Sequence, residues 1–250
     1  MGTNPRFQHL YSLGLAGQDQ VNRAFGGGLP TGSIVLVEGR HGTGKSTLAG
    51  RFAYGLCEQS HSVTYLSTER GFRQFLNTMQ SLSYNMQKSA LRRDLLYLFG
   101  ELGRDRADEQ PELLSRLQAS SQLWNSDVIV FDTFSDILLY DPTVESVVAN
   151  SGERRIIHRL IRFFRQIIAT GTTIVLFVSP SGLADQTLDP FRAIADVLLD
   201  ISVTNTANNQ RRVINVQRFA GMGHQVGDRI GFSIRPATGI VIEYRSVVSR

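Results

Sequence analysis

The chain is poor in cysteine, in lysine and in long apolar runs, and each scarcity excludes something. A single cysteine, Cys57, rules out an intramolecular disulfide. The five histidines (His9, His41, His61, His158 and His224) show no ligand spacing, so a metal site built from protein side chains alone is not expected. The longest strand-like apolar run, Ile174 to Val178, falls far short of the ~20 residues that cross a bilayer. Met1-Gly2-Thr3-Asn4-Pro5-Arg6 lacks the charged-then-apolar layout of a signal peptide, and a cytoplasmic location is expected. Of 26 basic residues only Lys45 and Lys88 are lysines, and the net charge of +4 makes acidic partners such as nucleic acid, anionic lipid or an acidic protein plausible.

What is present is enough apolar material, 42% of 250 residues, for one sizeable core. We expect a single domain spanning 1–250. Apolar runs at Ile34 to Val37, Val63 to Leu66, Leu95 to Phe99, Val128 to Phe131 and Ile174 to Val178 read as buried strands. Between them, Ser46 to Cys57, Phe72 to Leu82 and a segment opening at Pro111 and running to Leu123 read as helices. Glu153 to Ala169 carries Ile156, Ile157, Leu160, Ile161, Phe164, Ile167 and Ile168 at helical spacing. Glu101 to Gln110 reads as a polar linker and the most mobile segment, and after Asp196 the pattern turns to strands without long helices. Alternating strands and helices imply a mostly parallel central sheet flanked by helices, an α/β architecture closed by a β-rich C-terminal part.

Gly39-Arg40-His41-Gly42-Thr43-Gly44-Lys45-Ser46 matches G-x-x-x-x-G-K-S after an apolar strand and before a helix. A chance match in a chain of this length has odds on the order of one in a hundred before that context is counted. Glycines let backbone N–H groups converge on phosphate oxygens, and the helix that follows directs its positive end at them. This loop, with Thr47 after it, is expected to hold ATP. Lys45 would neutralise the β- and γ-phosphates and Ser46 would ligate Mg2+. Asp132, at the end of the Val128 to Phe131 strand, would hold the magnesium shell; a capping carboxylate at a strand end is the plainer alternative. Asp136, four residues on, is expected on a different surface. Glu69 closes Thr64-Tyr65-Leu66-Ser67-Thr68-Glu69, where a carboxylate could polarise an attacking water or could simply be solvated.

Several stretches together resemble the RecA/KaiC superfamily, and within it the archaellar (archaeal flagellar) accessory ATPases, the FlaH/ArlH family. They are Phe25-Gly26-Gly27-Gly28-Leu29-Pro30-Thr31-Gly32-Ser33, Ser62 to Glu69 with Phe75 to Tyr84 after it, Asp127 to Thr133, and Gly239-Ile240-Val241-Ile242-Glu243. The resemblance implies a RecA-like fold in which Glu69 primes water. It also implies ring assembly, with basic residues on a late strand reaching the neighbour's nucleotide through a K-x-R-G pattern. Here that stretch reads Arg218-Phe219-Ala220-Gly221, so Arg218 can replace the first cation while Ala220 supplies no second. Arg70 stands where a second carboxylate is common, and the polar sensor after the Ile174 strand is reduced to Ser179-Pro180. The family further implies partners: the archaellum motor ATPase (FlaI/ArlI-like) and the ring and scaffold proteins of the motor, at the membrane-associated base of the archaellum.

The function expected is therefore an ATP-binding regulatory or assembly component of that motor, ring-forming and weakly hydrolytic. A RecA/RadA-like nucleic-acid ATPase is the alternative, suggested by net charge and by Arg155, Arg159 and Arg162 at helical spacing. A solvated helix face explains those arginines equally well, and no aromatic-plus-basic loop for stacking single strands accompanies them, so no nucleic acid is expected. A KaiC-type autokinase would call for two copies of the domain, and one is present.

Overall fold

A computed structural model describes residues 9–100, 119, 121–140, 153–206 and 209–243. Among these the strands are β1 (Leu10–Tyr11), β2 (Leu29–Pro30), β3 (Ile34–Gly39), β4 (Val63–Ser67), β5 (Leu95–Phe99), β6 (Val128–Asp132), β7 (Thr173–Val178), β8 (Val197–Thr206), β9 (Asn209–Phe219), β10 (Arg229–Arg235) and β11 (Gly239–Glu243). The helices are α1 (Val21–Ala24), α2 (Lys45–Glu58), α3 (Phe72–Ser81), α4 (Met86–Leu91), α5 (Phe134–Tyr140), α6 (Glu153–Ile168) and α7 (Asp185–Ile194). β1 and β2 form a small antiparallel pair, and the other nine strands make one sheet in the order β11-β10-β9-β8-β3-β7-β6-β4-β5. From β8 to β5 neighbouring strands are parallel; β9, β10 and β11 extend the sheet as an antiparallel meander.

The parallel strands are near-continuous apolar runs because both of their faces are covered. Successive side chains alternate between those faces. Val35, Val37, Tyr65, Val128, Val130, Val175 and Phe177 join Leu48, Phe52 and Leu56 of α2 and Phe75 and Met79 of α3 in one core. Ile34, Leu36, Ile129, Phe131, Ile174 and Leu176 join Phe134 and Ile137 of α5, Leu160, Ile161 and Phe164 of α6 and Phe191 of α7 in the other. In α6 the apolar positions face this second core, while His158, Arg159, Arg162 and Arg165 are exposed on the other side. The side chain of Arg155 and the linker expected over Glu101 to Gln110 lie outside what is described. So does most of the helix expected from Pro111 to Leu123, whose end is a 3₁₀ turn at Ser121–Trp124.

A buried guanidinium ties the N-terminal segment to α2. Arg51, fully buried, pairs with Asp19 and donates to the carbonyl oxygens of Leu13 (2.8 Å) and Gly14 (3.4 Å). Such a charge is tolerated because its donors are met by a counter-ion and carbonyls together. Gly55, one turn along α2, leaves room for that crossing: a Cβ there would sit 1.9 Å from Leu13 O.

Candidate phosphate and magnesium site

In an open α/β sheet the loops after the strands gather at one edge, and ligands bind there. β3, β6 and β4 deliver Gly39, Asp132 and Ser67 to this edge, with Ser67 paired to Asp132 and Asp132 to Phe177 of the intervening β7. Gly39 is buried at the end of β3, and Arg40, His41 and Gly42 are exposed in the turn that follows. Thr43 is buried, and its hydroxyl donates to Arg40 O at 2.9 Å. Two glycines are required by geometry here. A Cβ on Gly39 would lie 2.8 Å from Thr43 Oγ1. Gly44 has φ of +97° at the N-cap of α2, and a Cβ there would meet Ile234 Cδ1 at 2.9 Å.

No side chain caps the amino end of α2, so its first amide groups and the positive end of its dipole serve the loop. Lys45 opens the helix, and its Nζ donates to Gly39 O at 2.8 Å and Arg40 O at 3.0 Å. Burial lowers the Lys45 pKa from the ordinary lysine value, against the opposing pull of Glu69, Asp132 and Asp136. Ser46 Oγ donates to Asp132 Oδ1 at 2.9 Å, and the Tyr65 hydroxyl donates to Asp132 Oδ2 at 2.8 Å. Asp132 is 2% exposed, and burial pushes its pKa up to about 6 despite both hydrogen bonds. The peptide bond from Asp132 to Thr133 is cis.

Glu69 follows β4 in a turn where Ser67 Oγ accepts from the Glu69 and Arg70 amides, at 3.3 and 3.1 Å. Thr133 Oγ1 donates to Glu69 Oε1 at 3.0 Å, which brings this carboxylate to the same edge as Lys45 and Asp132. Asp136 corrects the sequence reading, because it shares the surface. α5 begins at Phe134, with only Thr133 between it and Asp132, and its first turn keeps Asp136 at the sheet edge, where Thr68 Oγ1 donates to Asp136 Oδ2 at 3.0 Å. Burial raises the Asp136 pKa above the usual carboxylate value. Arg212 was missed altogether. Its side chain on β9 packs beside the loop, Cδ being 3.4 Å from where a Gly44 Cβ would stand. Nothing local marks it, since its proximity depends on the C-terminal hairpin joining the sheet.

Arg218 is not brought to these groups. It faces Leu198 across the β8–β9 ladder, and its Nη1 donates to Arg192 O at 3.2 Å and to Ala195 O, closing the carboxyl end of α7. Arg192 in turn makes a two-pronged ion pair with Glu38, Nε–Oε1 at 2.6 Å and Nη2–Oε2 at 2.8 Å, one residue before Gly39. A separate groove of about 780 Å³, lined in part by Arg23, His224, Arg229 and Glu243, contains none of the loop residues.

The donor set fits Mg2+. A hydroxyl and a carboxylate oxygen lie 2.9 Å apart, while no cluster of three or more His, Cys, Asp or Glu occurs among the described residues. A cation that keeps several waters and takes phosphate oxygens needs no fuller cage.

The sheet order, the glycine-lined loop opening onto α2 and the acidic strand end beside it define a RecA-like P-loop nucleotide-binding protein. More narrowly, the chain belongs to the family described as "ATPase: KaiC", whose model matches residues 13–246. It is similar to the archaeal flagellar ATP-binding protein FlaH of Methanocaldococcus jannaschii, 29% identical, covering 92% of this chain and 94% of that one. The FlaH of Methanococcus voltae is 27% identical, with 92% and 96% covered. The crystal structure of the flagellar accessory protein FlaH from M. jannaschii superposes with a TM-score of 0.82 at 27% identity, covering 95% of this chain and 100% of the other. Among the described residues, no helix is long and apolar enough to cross a membrane.

Proposed function

We propose that this chain binds ATP with Mg2+ at the edge built by Gly39 to Thr47, Asp132 and Glu69, and acts as a regulatory or assembly component of the archaellum motor. The observation that carries the reading is the convergence of Lys45, Ser46, Asp132 and Glu69 in a chain similar over nine-tenths of its length to proteins named archaeal flagellar ATP-binding protein. Lys45 would exchange its two carbonyl acceptors for β- and γ-phosphate oxygens. Ser46 would ligate the cation, and Asp132 would accept from water in its shell. Bound there, Mg2+ would supply charge neutralisation across the phosphates. Glu69, held by Thr133, would accept a proton from the attacking water.

Hydrolysis should be slow. Arg218, the residue in place of a trans-acting cation, is held by carbonyls of its own α7, and Ala220 offers no second charge. Reaching a neighbour's phosphates requires Arg218 to give up both acceptors. A bound triphosphate is then chiefly a switch, and it can shift a conformational equilibrium only by its differential affinity for two states. The segments in reach are those that follow β4, β6 and β7: Thr68 to Phe72, Thr133 with the first turn of α5 to Ile137, and Ser179 to Asp185. On this reading ATP favours a ring of these chains, and the ring docks on the archaellum motor ATPase at the membrane base. Light scattering with pull-down on the motor ATPase, in ATP, ADP and no nucleotide, tests both events. Larger mass and retention only in ATP are expected, both weakened by Lys45→Ala and Asp132→Ala. Identical mass and identical retention in all three states would rule the switch out.

A further inference from the structure

Resting on the magnesium–nucleotide reading above, the geometry points to Tyr65 as a positioning residue of the magnesium site: its hydroxyl fixes the Asp132 carboxylate so that Oδ1 stays turned to Ser46. Tyr65 lies on β4, whose neighbour in the sheet is β6, the strand that ends in Asp132. Its ring is fully buried in the core beneath α2 and α3. A ring of that size packs there as well without a hydroxyl, so packing alone calls for phenylalanine. The hydroxyl's partner is Asp132 Oδ2 at 2.8 Å, and it occupies one of the two oxygens of a carboxylate that is itself 2% exposed. The other oxygen, Oδ1, accepts from Ser46 at 2.9 Å. A buried carboxylate held at both oxygens cannot rotate, whereas one held only by Ser46 can turn either oxygen away from the cation's shell.

The ring that carries this donor is itself held. Tyr65 stacks on Tyr97 with centroids 5.4 Å apart and planes 10° from parallel, and it packs on Phe75 at 4.8 Å. The Tyr97 hydroxyl donates to Arg70 O, in the turn that presents Glu69. The same aromatic stack thus supports both carboxylates of the site, directly at Asp132 and through the backbone at Glu69. Groups that orient a metal's ligands from behind typically change metal affinity about 10- to 100-fold when removed.

The test is a Mg2+ titration of the tightening of a fluorescent ATP analogue on the full chain, with its affinity in excess chelator as the control. Tyr65→Phe should raise the half-saturating Mg2+ concentration about tenfold and leave affinity in chelator within about twofold. An unchanged midpoint, or a loss of affinity in chelator as large as that in Mg2+, would overturn the proposal. If Tyr65→Phe does not fold, the pair Asp132→Ala and Tyr65→Phe/Asp132→Ala leaves no orphaned carboxylate oxygen behind. The two should share one midpoint, and a difference beyond about twofold would show Tyr65 acting other than through Asp132. Asp132→Ala distinguishes the two levels of failure. If it moves the midpoint and Tyr65→Phe does not, the proposal alone fails; if it leaves the midpoint at the wild-type value, the magnesium reading fails with it.

Discussion

Replacing Asp132 with asparagine should make the nucleotide-free protein more stable at neutral pH and less responsive to Mg2+. Burial raises the folded-state pKa of Asp132 from 3.8 to about 6, so the native state holds this proton more tightly than the unfolded chain does. For a carboxylate shifted upward, the destabilisation is absent below the unfolded pKa and complete above the folded one. A gap of about two units is worth about 3 kcal/mol at pH 7.5 and about half of that at pH 5. The substituted amide would still accept from Tyr65 and could donate to Ser46 Oγ, and the stronger bonds these two make to the ionised carboxylate are already contained in the value of about 6. The gain of about 3 kcal/mol corresponds to a Tm higher by about 6 to 12 °C for a chain of this size, shrinking to about half of that at pH 5. Thermal unfolding in chelator at both pH values measures this directly. With Mg2+ and ATP the order should reverse, because the ionised carboxylate then has its cation. A variant that melts with or below wild type at pH 7.5, or an advantage of equal size at pH 5, would show that the buried Asp132 charge does not weigh on the folded state in this way.

Glu69→Gln should abolish what ATP hydrolysis there is while leaving ATP affinity within about threefold, and wild-type turnover should stay below the ~1 per second that opens the ordinary enzyme range; fast steady-state phosphate release by the isolated protein contradicts this. Gly55→Ala should cost about 3 kcal/mol or more in denaturant unfolding, since the new Cβ meets Leu13 O at 1.9 Å and Arg51 Nη1 at 2.2 Å and must push the N-terminal segment off α2; a loss under about 1 kcal/mol would show that this segment is not packed as described. In filter binding across a salt series, single-stranded DNA should be retained weakly by the exposed Arg159, Arg162 and Arg165 of α6; tight and steeply salt-dependent retention would favour the nucleic-acid ATPase instead.

The parts legible in the sequence are those fixed by local pattern. β5 runs over Leu95–Phe99 as expected, and β3, β4, β6 and β7 extend the expected runs by one or two residues. The placement of the loop glycines, Lys45, Ser46, Asp132 and Glu69 at strand ends and at the start of α2 could be read because strand, turn and helix signals lie next to them. Short or interrupted helices were not legible. α7 has Pro190 inside it, a residue that argues against a helix interior, and its place is secured by Leu188 and Phe191 in the second core. α4 is six residues long, too short for periodicity to stand out. Side-chain partnerships across strands were beyond reach for a related reason. That Tyr65 meets Asp132, and that Asp136 turns back to Thr68, depends on β4 and β6 being neighbours and on α5 starting with only Thr133 between it and β6.

On the function proposed above, this loop holds ATP through Lys45 in a magnesium-dependent way. Lys45 is 6% exposed and its ammonium already sits on the carbonyls of Gly39 and Arg40, and alanine there removes both the charge and its reach. An equilibrium titration of ATP into wild type and into a folded Lys45→Ala protein, each with and without Mg2+, tests it. Saturable, magnesium-strengthened binding is expected of wild type and a loss of at least about 100-fold in the variant, the ~3 kcal/mol scale of a charge-assisted contact to phosphate. Undiminished affinity in folded Lys45→Ala would contradict it.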